Sequence, residues 1–295
     1  MSGEIEIEIQ NGIRVRAQKL LSLGEVGCII GYERGPRGQM RPMFVYDEAG
    51  VERLVWDRTC HHNLVVYVRD KVEAQGGGRA GGAPPPRVAI VARPCDVRAL
   101  NVLIHEGQLA REQVFVLGIA CPGMLDGDKV MAHCRRCKER VPVFYDALLG
   151  EPPAIEAEDD DWQDVAEIEA LSAGERLAFW AQEFERCIRC YACRQACPGC
   201  YCFECLAEQV DPGWIGIAHR VPEKAFFHIM RAFHLAGRCV ECHACEQACP
   251  MHIPLSLLNR KMAREVQELF GYTAGGDADV PPPLATFRRD EELPL

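Results

Sequence analysis

Along the first half of the chain, apolar residues come in short runs separated by turn formers, which is the pattern of strands. Residues 27–32, 40–46, 51–56 and 64–68 read this way. Asp47-Glu48-Ala49-Gly50 between the second and third runs marks a hairpin turn. The Gly- and Pro-rich segment 76–86 holds neither helix nor central strand and reads as a flexible surface loop. After it, 87–92 has the pattern of a buried strand, Asp96 caps a helix running to about Glu106, and 114–119 is a second strand. The two strands of such a unit run parallel, and the loops leaving them share one sheet edge. Cys95 and Cys121 sit in those loops.

From residue 172 the period changes. Ser172-x-x-Glu175 is a capping box, and Leu177, Trp180, Ala181 and Phe184 follow at helical spacing. Phe226, Met230 and Phe233 share one face of a further helix. Leu258, Met262, Val266 and Leu269 mark another that Gly271 ends. The second half is therefore mainly helical.

Composition narrows the function classes. The net charge of −10 gives no nucleic-acid footprint, and part of the excess lies in 151–170, with nine carboxylates and no Lys or Arg. That stretch reads as a solvated linker that can also steer a basic partner. The N-terminus alternates Glu with Ile and lacks the basic start and apolar run of a signal peptide, and no stretch approaches the length of a transmembrane helix. The expectation is a cytoplasmic protein without a transmembrane segment. Seventeen cysteines in a reducing compartment point to metal ligation or redox chemistry rather than disulfides.

The cysteine spacing is specific. Cys187-x2-Cys190-x2-Cys193-x3-Cys197-Pro198 recurs as Cys239-x2-Cys242-x2-Cys245-x3-Cys249-Pro250, the spacing of bacterial two-cluster ferredoxins. Three thiolates of a run wrap one 4Fe-4S cluster, and the fourth, turned by proline, reaches the other. One cluster is thus assigned to Cys187, Cys190, Cys193 and Cys249, the other to Cys239, Cys242, Cys245 and Cys197. Zinc or structural thiols are the competing reading, although zinc sites seldom use paired four-cysteine runs. The forty or so residues between the runs favour a helical ferredoxin variant over a compact repeat.

A third constellation joins Cys95 and Cys121 to Cys134-x2-Cys137, and a further 4Fe-4S cluster is expected there, with zinc and unligated core thiols as alternatives. Cys60 is an alternative fourth ligand, Cys28 reads as core packing, and Cys200, Cys202 and Cys205 stay unassigned. Arg93 and Arg98 flank Cys95; they either hold an anion such as a flavin phosphate or offset the charge of thiolate-bound iron, and the second is preferred. No dinucleotide fingerprint, phosphate-binding loop or nucleophile elbow occurs.

The fold class read from these features is an α/β N-terminal domain followed by a mainly helical two-cluster 4Fe-4S ferredoxin domain. Its boundaries are 1–150 for the α/β domain, 151–171 for the acidic linker, 172–271 for the ferredoxin domain and 272–295 for a flexible tail.

Four segments carry a family resemblance: Arg93-Pro94-Cys95-Asp96-Val97-Arg98-Ala99-Leu100, Gly118-Ile119-Ala120-Cys121-Pro122-Gly123, the run from Cys187 through Cys205, and Phe233-His234-Leu235-Ala236-Gly237-Arg238-Cys239. In these the chain resembles dicluster iron-sulfur subunits of anaerobic reductases. That group includes the dicluster component of anaerobic sulfite reductase and the iron-sulfur components linking flavin oxidoreductases to heterodisulfide-reductase-like complexes. The N-terminal domain is more distantly similar to the beta subunit of deazaflavin-reducing hydrogenases, whose relatives hold FAD beside a cluster. The resemblance implies electron relay between a flavoprotein or hydrogenase partner and a catalytic reductase subunit, with FAD or FMN left open as a cofactor. The alternatives are a flavin-bearing dehydrogenase subunit that exports single electrons and a zinc-bearing docking module.

Overall fold

The computed structural model describes residues 2–76, 86–154, 156–159, 162–216 and 218–283. The chain divides into two compact units, Met1–Asp159 with Gly275–Ala278, and Asp160–Ala274 with Asp279–Leu295. Apart from its two ends, the loop expected at 76–86 lies outside the described residues, as does the tail from residue 284.

The first unit opens with a helix, α1 (Ser2–Ser22), to which the strand-like reading gives no element. Its start alternates Glu with Ile, but Ile9, Ile13, Ala17 and Leu20 fall on one helical face and are buried, while Ile5 and Ile7 are exposed. Strands β1 (Val26–Arg34) and β2 (Met40–Val45) form an antiparallel hairpin, with Ile29 opposite Val45 and Arg34 opposite Met40. The partner of β2 is thus the strand before it, not residues 51–56. Those residues instead enter a 3-10 helix, Glu48–Arg53, because the Asp47 carboxylate accepts the Gly50 N–H at 2.9 Å. Val55 keeps a single bridge to Tyr32. Residues 64–68 depart from strand in the same way: Asn63 accepts the Val65 N–H at 3.1 Å, starting the 3-10 turn Leu64–Tyr67 that runs into α2 (Val68–Gly76). In both places a short polar side chain offers the backbone a local alternative to a ladder.

Strand β3 (Arg87–Ala92), helix α3 (Pro94–His105) and strand β4 (Val114–Ile119) form a parallel strand-helix-strand unit, registered from Val88 opposite Val114 to Ala92 opposite Gly118. The helix starts at Pro94, earlier than an Asp96 cap would place it. Asp96 sits in the first turn and its carboxylate accepts the Arg93 N–H at 2.9 Å. A small antiparallel pair, β5 (Leu125–Asp126) and β6 (Lys129–Val130), precedes the short helix α4 (Ala132–Arg136). With β7 (Ala147–Leu149), the main sheet has the order β2-β1-β3-β4-β7. Cys95 and Cys121 follow the carboxyl ends of adjacent strands.

The second unit holds α5 (Gln163–Ala170), α6 (Ala173–Glu185), α7 (Ala192–Gln195), α8 (Val221–His234), α9 (Ala244–Gln247) and α10 (Leu255–Phe270). Helix α5 lies within the acidic stretch read as a linker. Its carboxylates face the basic side of α10: Asp164 pairs with Arg260 at 3.0 Å, and Glu169 with Arg264 at 2.6 Å and with Lys261. The capping box forms as expected from its residues, with Ser172 N–H donating to Glu175 at 2.8 Å and Glu175 N–H to the Ser172 hydroxyl at 3.3 Å.

Part of the segment expected as a flexible tail is structured. Tyr272 and Ala274 are buried, and Gly275–Ala278 belongs to the first unit. Asn101 on α3 donates to the carbonyls of Asp277 at 2.7 Å and Gly275 at 3.4 Å, and the His105 ring meets the Ala278 carbonyl at 2.8 Å. Gly275 has φ +63°, and a Cβ there would collide with the Arg98 carbonyl. Among the described residues, no helix is long and apolar enough to cross a membrane.

Candidate metal centre

The two cysteine runs fold alike. Arg189 and Tyr191 have φ +55° and +57°, and their counterparts Glu241 and His243 have +57° and +54°. These left-handed residues lie on either side of the middle cysteine and wind the loop into an arc before a one-turn helix, α7 in one run and α9 in the other. The arc turns backbone donors toward sulfur. Arg189 N–H donates to Cys187 Sγ at 3.4 Å, and Glu241 N–H bonds Cys239 in the same way. Hydrogen bonds of this kind favour a thiolate over a thiol.

Sulfurs from the two runs are neighbours. Burial pushes the Cys187 thiol up, and the nearby charges of Cys249 and Cys190 add to the rise. Burial takes Cys193 up to about 12, with Cys245, Cys187 and Cys249 acting in the same direction. Cys239 and Cys245 are likewise raised by burial, and both feel Cys197. The fourth cysteine of each run therefore interacts with the other run. Cys242 lies half-buried in the second arc. Cys197 is the exception in pKa, held down because Cys200 donates a hydrogen bond to it, with Arg231 nearby.

The inward face of α8 carries what pattern reading missed. Lys224, Phe227, His228 and Arg231 are buried, whereas Phe226 and Phe233, expected to face inward, are exposed. Lys224 Nζ donates to the Glu185 carbonyl at 2.9 Å and its charge reaches Cys187. His228 Nε2 lies 3.3 Å from Cys187 Sγ. Arg231 Nη2 donates to the Cys193 carbonyl at 3.1 Å. On α10 the buried residues are Leu255, Val266 and the polar Ser256, Asn259 and Arg260, and Asn259 Nδ2 stands 3.6 Å from Cys245 Sγ. The available signal was the polar i, i+4, i+7 series Lys224, His228, Arg231, on a helix between two cysteine runs.

In the first unit, Cys134 and Cys137 lie within electrostatic reach of Cys121. Burial raises Cys121 to about 11, with Cys134 and Cys137 adding to it, while Gly123 N–H donates to its sulfur at 3.4 Å. Gly123 has φ +86°, and its N–H meets the sulfur two residues before it, as Arg189 does in the first arc. Cys95, half-buried in the first turn of α3, and Cys60, fully buried and raised by burial to about 12, both interact with Tyr32. Arg93 is tied to the Asp96 carboxylate at 2.8 Å and to the His62 carbonyl at 2.9 Å, and its charge reaches Cys121 and Cys60. Arg98 acts on Cys137. Cys28 is fully buried in β1. Cys200, Cys202 and Cys205 line one cavity with Arg194 and Arg231.

The donor set fits iron-sulfur ligation in its chemistry. Two matched arcs supply eight thiols, backbone N–H groups reach sulfur, and a buried donor beside them lacks an acceptor: among the described residues, Arg231 Nε finds no partner. Among the same residues, no three His, Cys, Asp or Glu side chains converge closely enough to hold one metal ion.

No protein-family model matches the chain. The curated proteins similar to it include two formate dehydrogenase subunits. The F420-dependent formate dehydrogenase subunit beta of Methanocaldococcus jannaschii is 36% identical over 107 residues, covering 36% of this chain and 27% of that subunit. The F420-dependent formate dehydrogenase 1 subunit beta of Methanococcus maripaludis is 25% identical over 296 aligned positions, covering 67% of this chain and 75% of that subunit. The first alignment thus spans about a quarter of its relative, and both relatives are named as subunits of an oxidoreductase.

Proposed function

We propose that the chain is an electron-transfer subunit of an oxidoreductase complex, holding two 4Fe-4S clusters in its second unit. The observation that carries this reading is the pair of matched arcs whose fourth cysteines interact with the opposite run. Cys187, Cys190, Cys193 and Cys249 would hold one cluster, and Cys239, Cys242, Cys245 and Cys197 the other. Such clusters, when bound, take up and release single electrons. The chain's own part is to bury the thiols, aim backbone N–H groups at sulfur and set positive charge and donors on the inward face of α8. The N–H groups and the positive charge favour thiolate against the effect of burial, and all three tune the potential.

Cys121, Cys134 and Cys137, with Cys95 or Cys60, would hold a third cluster in the first unit, where Arg93 and Arg98 offset its charge. The partners are other subunits of a redox complex, among them a catalytic one such as a formate dehydrogenase, a reading supported by the names of the relatives. The same names favour a second reading. In it the chain also holds a flavin, which takes up an electron pair and passes it on to the clusters singly.

Anaerobic purification with iron, sulfide, zinc and flavin quantified together, followed by electron paramagnetic resonance during stepwise reduction, tests both. About eight irons with matching sulfide and interacting spins are expected from the second unit, and about twelve if the first unit also holds a cluster. Zinc without sulfide contradicts the relay. Released FAD or FMN selects the flavin-bearing form.

A further inference from the structure

Arg231 is 6% exposed on the inward face of α8. Its charge acts on Cys197, Cys245, Cys200 and Cys193. Of these, Cys193 belongs to the first four-cysteine set and Cys197 and Cys245 to the second. Its neighbours on the same face differ: Lys224 and His228 reach Cys187, which is in the first set alone. A buried guanidinium is unfavourable unless anionic groups repay its desolvation. The Arg231 side chain hydrogen-bonds Cys197 and Cys245 of the second set and donates to the Cys193 carbonyl of the first at 3.1 Å, while its Nε has no acceptor among the described residues.

We propose that Arg231 is a charge shared by the two clusters, a positioning residue that offsets the negative charge either one gains on reduction and so ties their potentials together. The proposal rests on the two-cluster reading above. A purely structural Arg231 would instead only anchor α8 to the Cys193 carbonyl.

Potentiometric titration followed by electron paramagnetic resonance on the full anaerobic chain separates the two roles. Arg231→Gln keeps a donor for the Cys193 carbonyl and drops the charge, Arg231→Met drops both, and Arg231→Lys keeps the charge. The glutamine variant should retain both clusters with both midpoints moved to more negative values. The lysine variant should return them toward wild type. His228→Phe, the one-set control, should move a single midpoint. Iron loading by the lysine variant alone also supports a required charge. Both midpoints unmoved in Arg231→Gln, or only one moved, overturns the proposal, as does failure of all three variants to load while His228→Phe loads. If wild-type protein holds no pair of clusters, the electron-transfer reading itself fails, and iron and sulfide content shows that before any variant is made.

Discussion

His228 Nε2 lies 3.3 Å from the sulfur of Cys187, and the imidazole stacks on Phe184 with ring centroids 5.1 Å apart and planes 10° from parallel. Burial, and then the charge of Arg231, hold the His228 pKa down to about 4, so the ring meets the sulfur as a neutral imidazole. Phenylalanine can keep the stack but cannot bond sulfur. His228→Phe is therefore expected to load iron fully while the cluster ligated by Cys187 becomes harder to reduce, because a hydrogen bond to sulfur favours the more negative state. Redox titration reads the shift, and an unchanged pair of midpoints contradicts it.

The crossed ligand sets predict selective losses. Cys190→Ala and Cys242→Ala should each remove about four irons and leave the other spin signal in place. Retention of both signals in either variant contradicts the assignment.

In the first unit, Cys134→Ala removes a buried sulfur that interacts with Cys121. About four irons should be lost while both second-unit signals persist. An unchanged iron content argues against a cluster at that site.

Asn101 ties Gly275 and Asp277 to α3 through two side-chain hydrogen bonds. Asn101→Ala leaves two carbonyls without their donor, at a cost of about 1–2 kcal/mol. Hydrogen exchange at Gly275–Ala278 should accelerate, and the unfolding midpoint of the chain should fall. Unaltered exchange there means that the segment is held by other contacts.

Glu169 gives the pH dependence its sign. Hydrogen bonds from Lys261 and then Arg264 hold its carboxyl below the usual 4.5. A depressed carboxyl stabilises the fold above the unfolded pKa, and that contribution is lost as pH falls through the folded value. The group is half-exposed, so Glu169→Gln should cost less than about 1 kcal/mol at neutral pH, and less again in high salt. Urea unfolding should show the gap between variant and wild type closing below pH 4.5. A gap independent of pH points to packing instead.

How far the chain was legible follows from how local each signal is. The arcs are written in nearby residues, since cysteines with two residues between them on a tight turn depend on few contacts elsewhere, and the Ser172–Glu175 box closes within one turn. Strands β3 and β4 announce themselves by continuous apolar runs. Residues 51–56 and 64–68 misled because apolar content outweighed Asp47 and Asn63, whose side chains redirect the backbone.

The inward faces of α8 and α10 were decided largely by tertiary structure. Hydrophobic periodicity places Val266 inside correctly, but Phe226, Phe233 and Leu269 are exposed, because cysteine sulfur shares the interior of the second unit with Phe227, Ile253 and Leu255. Sulfur that is to carry negative charge attracts His228, Arg231 and Asn259, and these take the buried positions that an apolar core would have filled with leucine. The acidic stretch shows the same dependence: Asp164 and Glu169 read as solvated until Arg260 and Arg264, some ninety-five residues on, fold against them. Sequence by itself determined which atoms are available to bind metal. Only the folded chain decided which charges stand beside them, since electrostatic partners are chosen by distance in space.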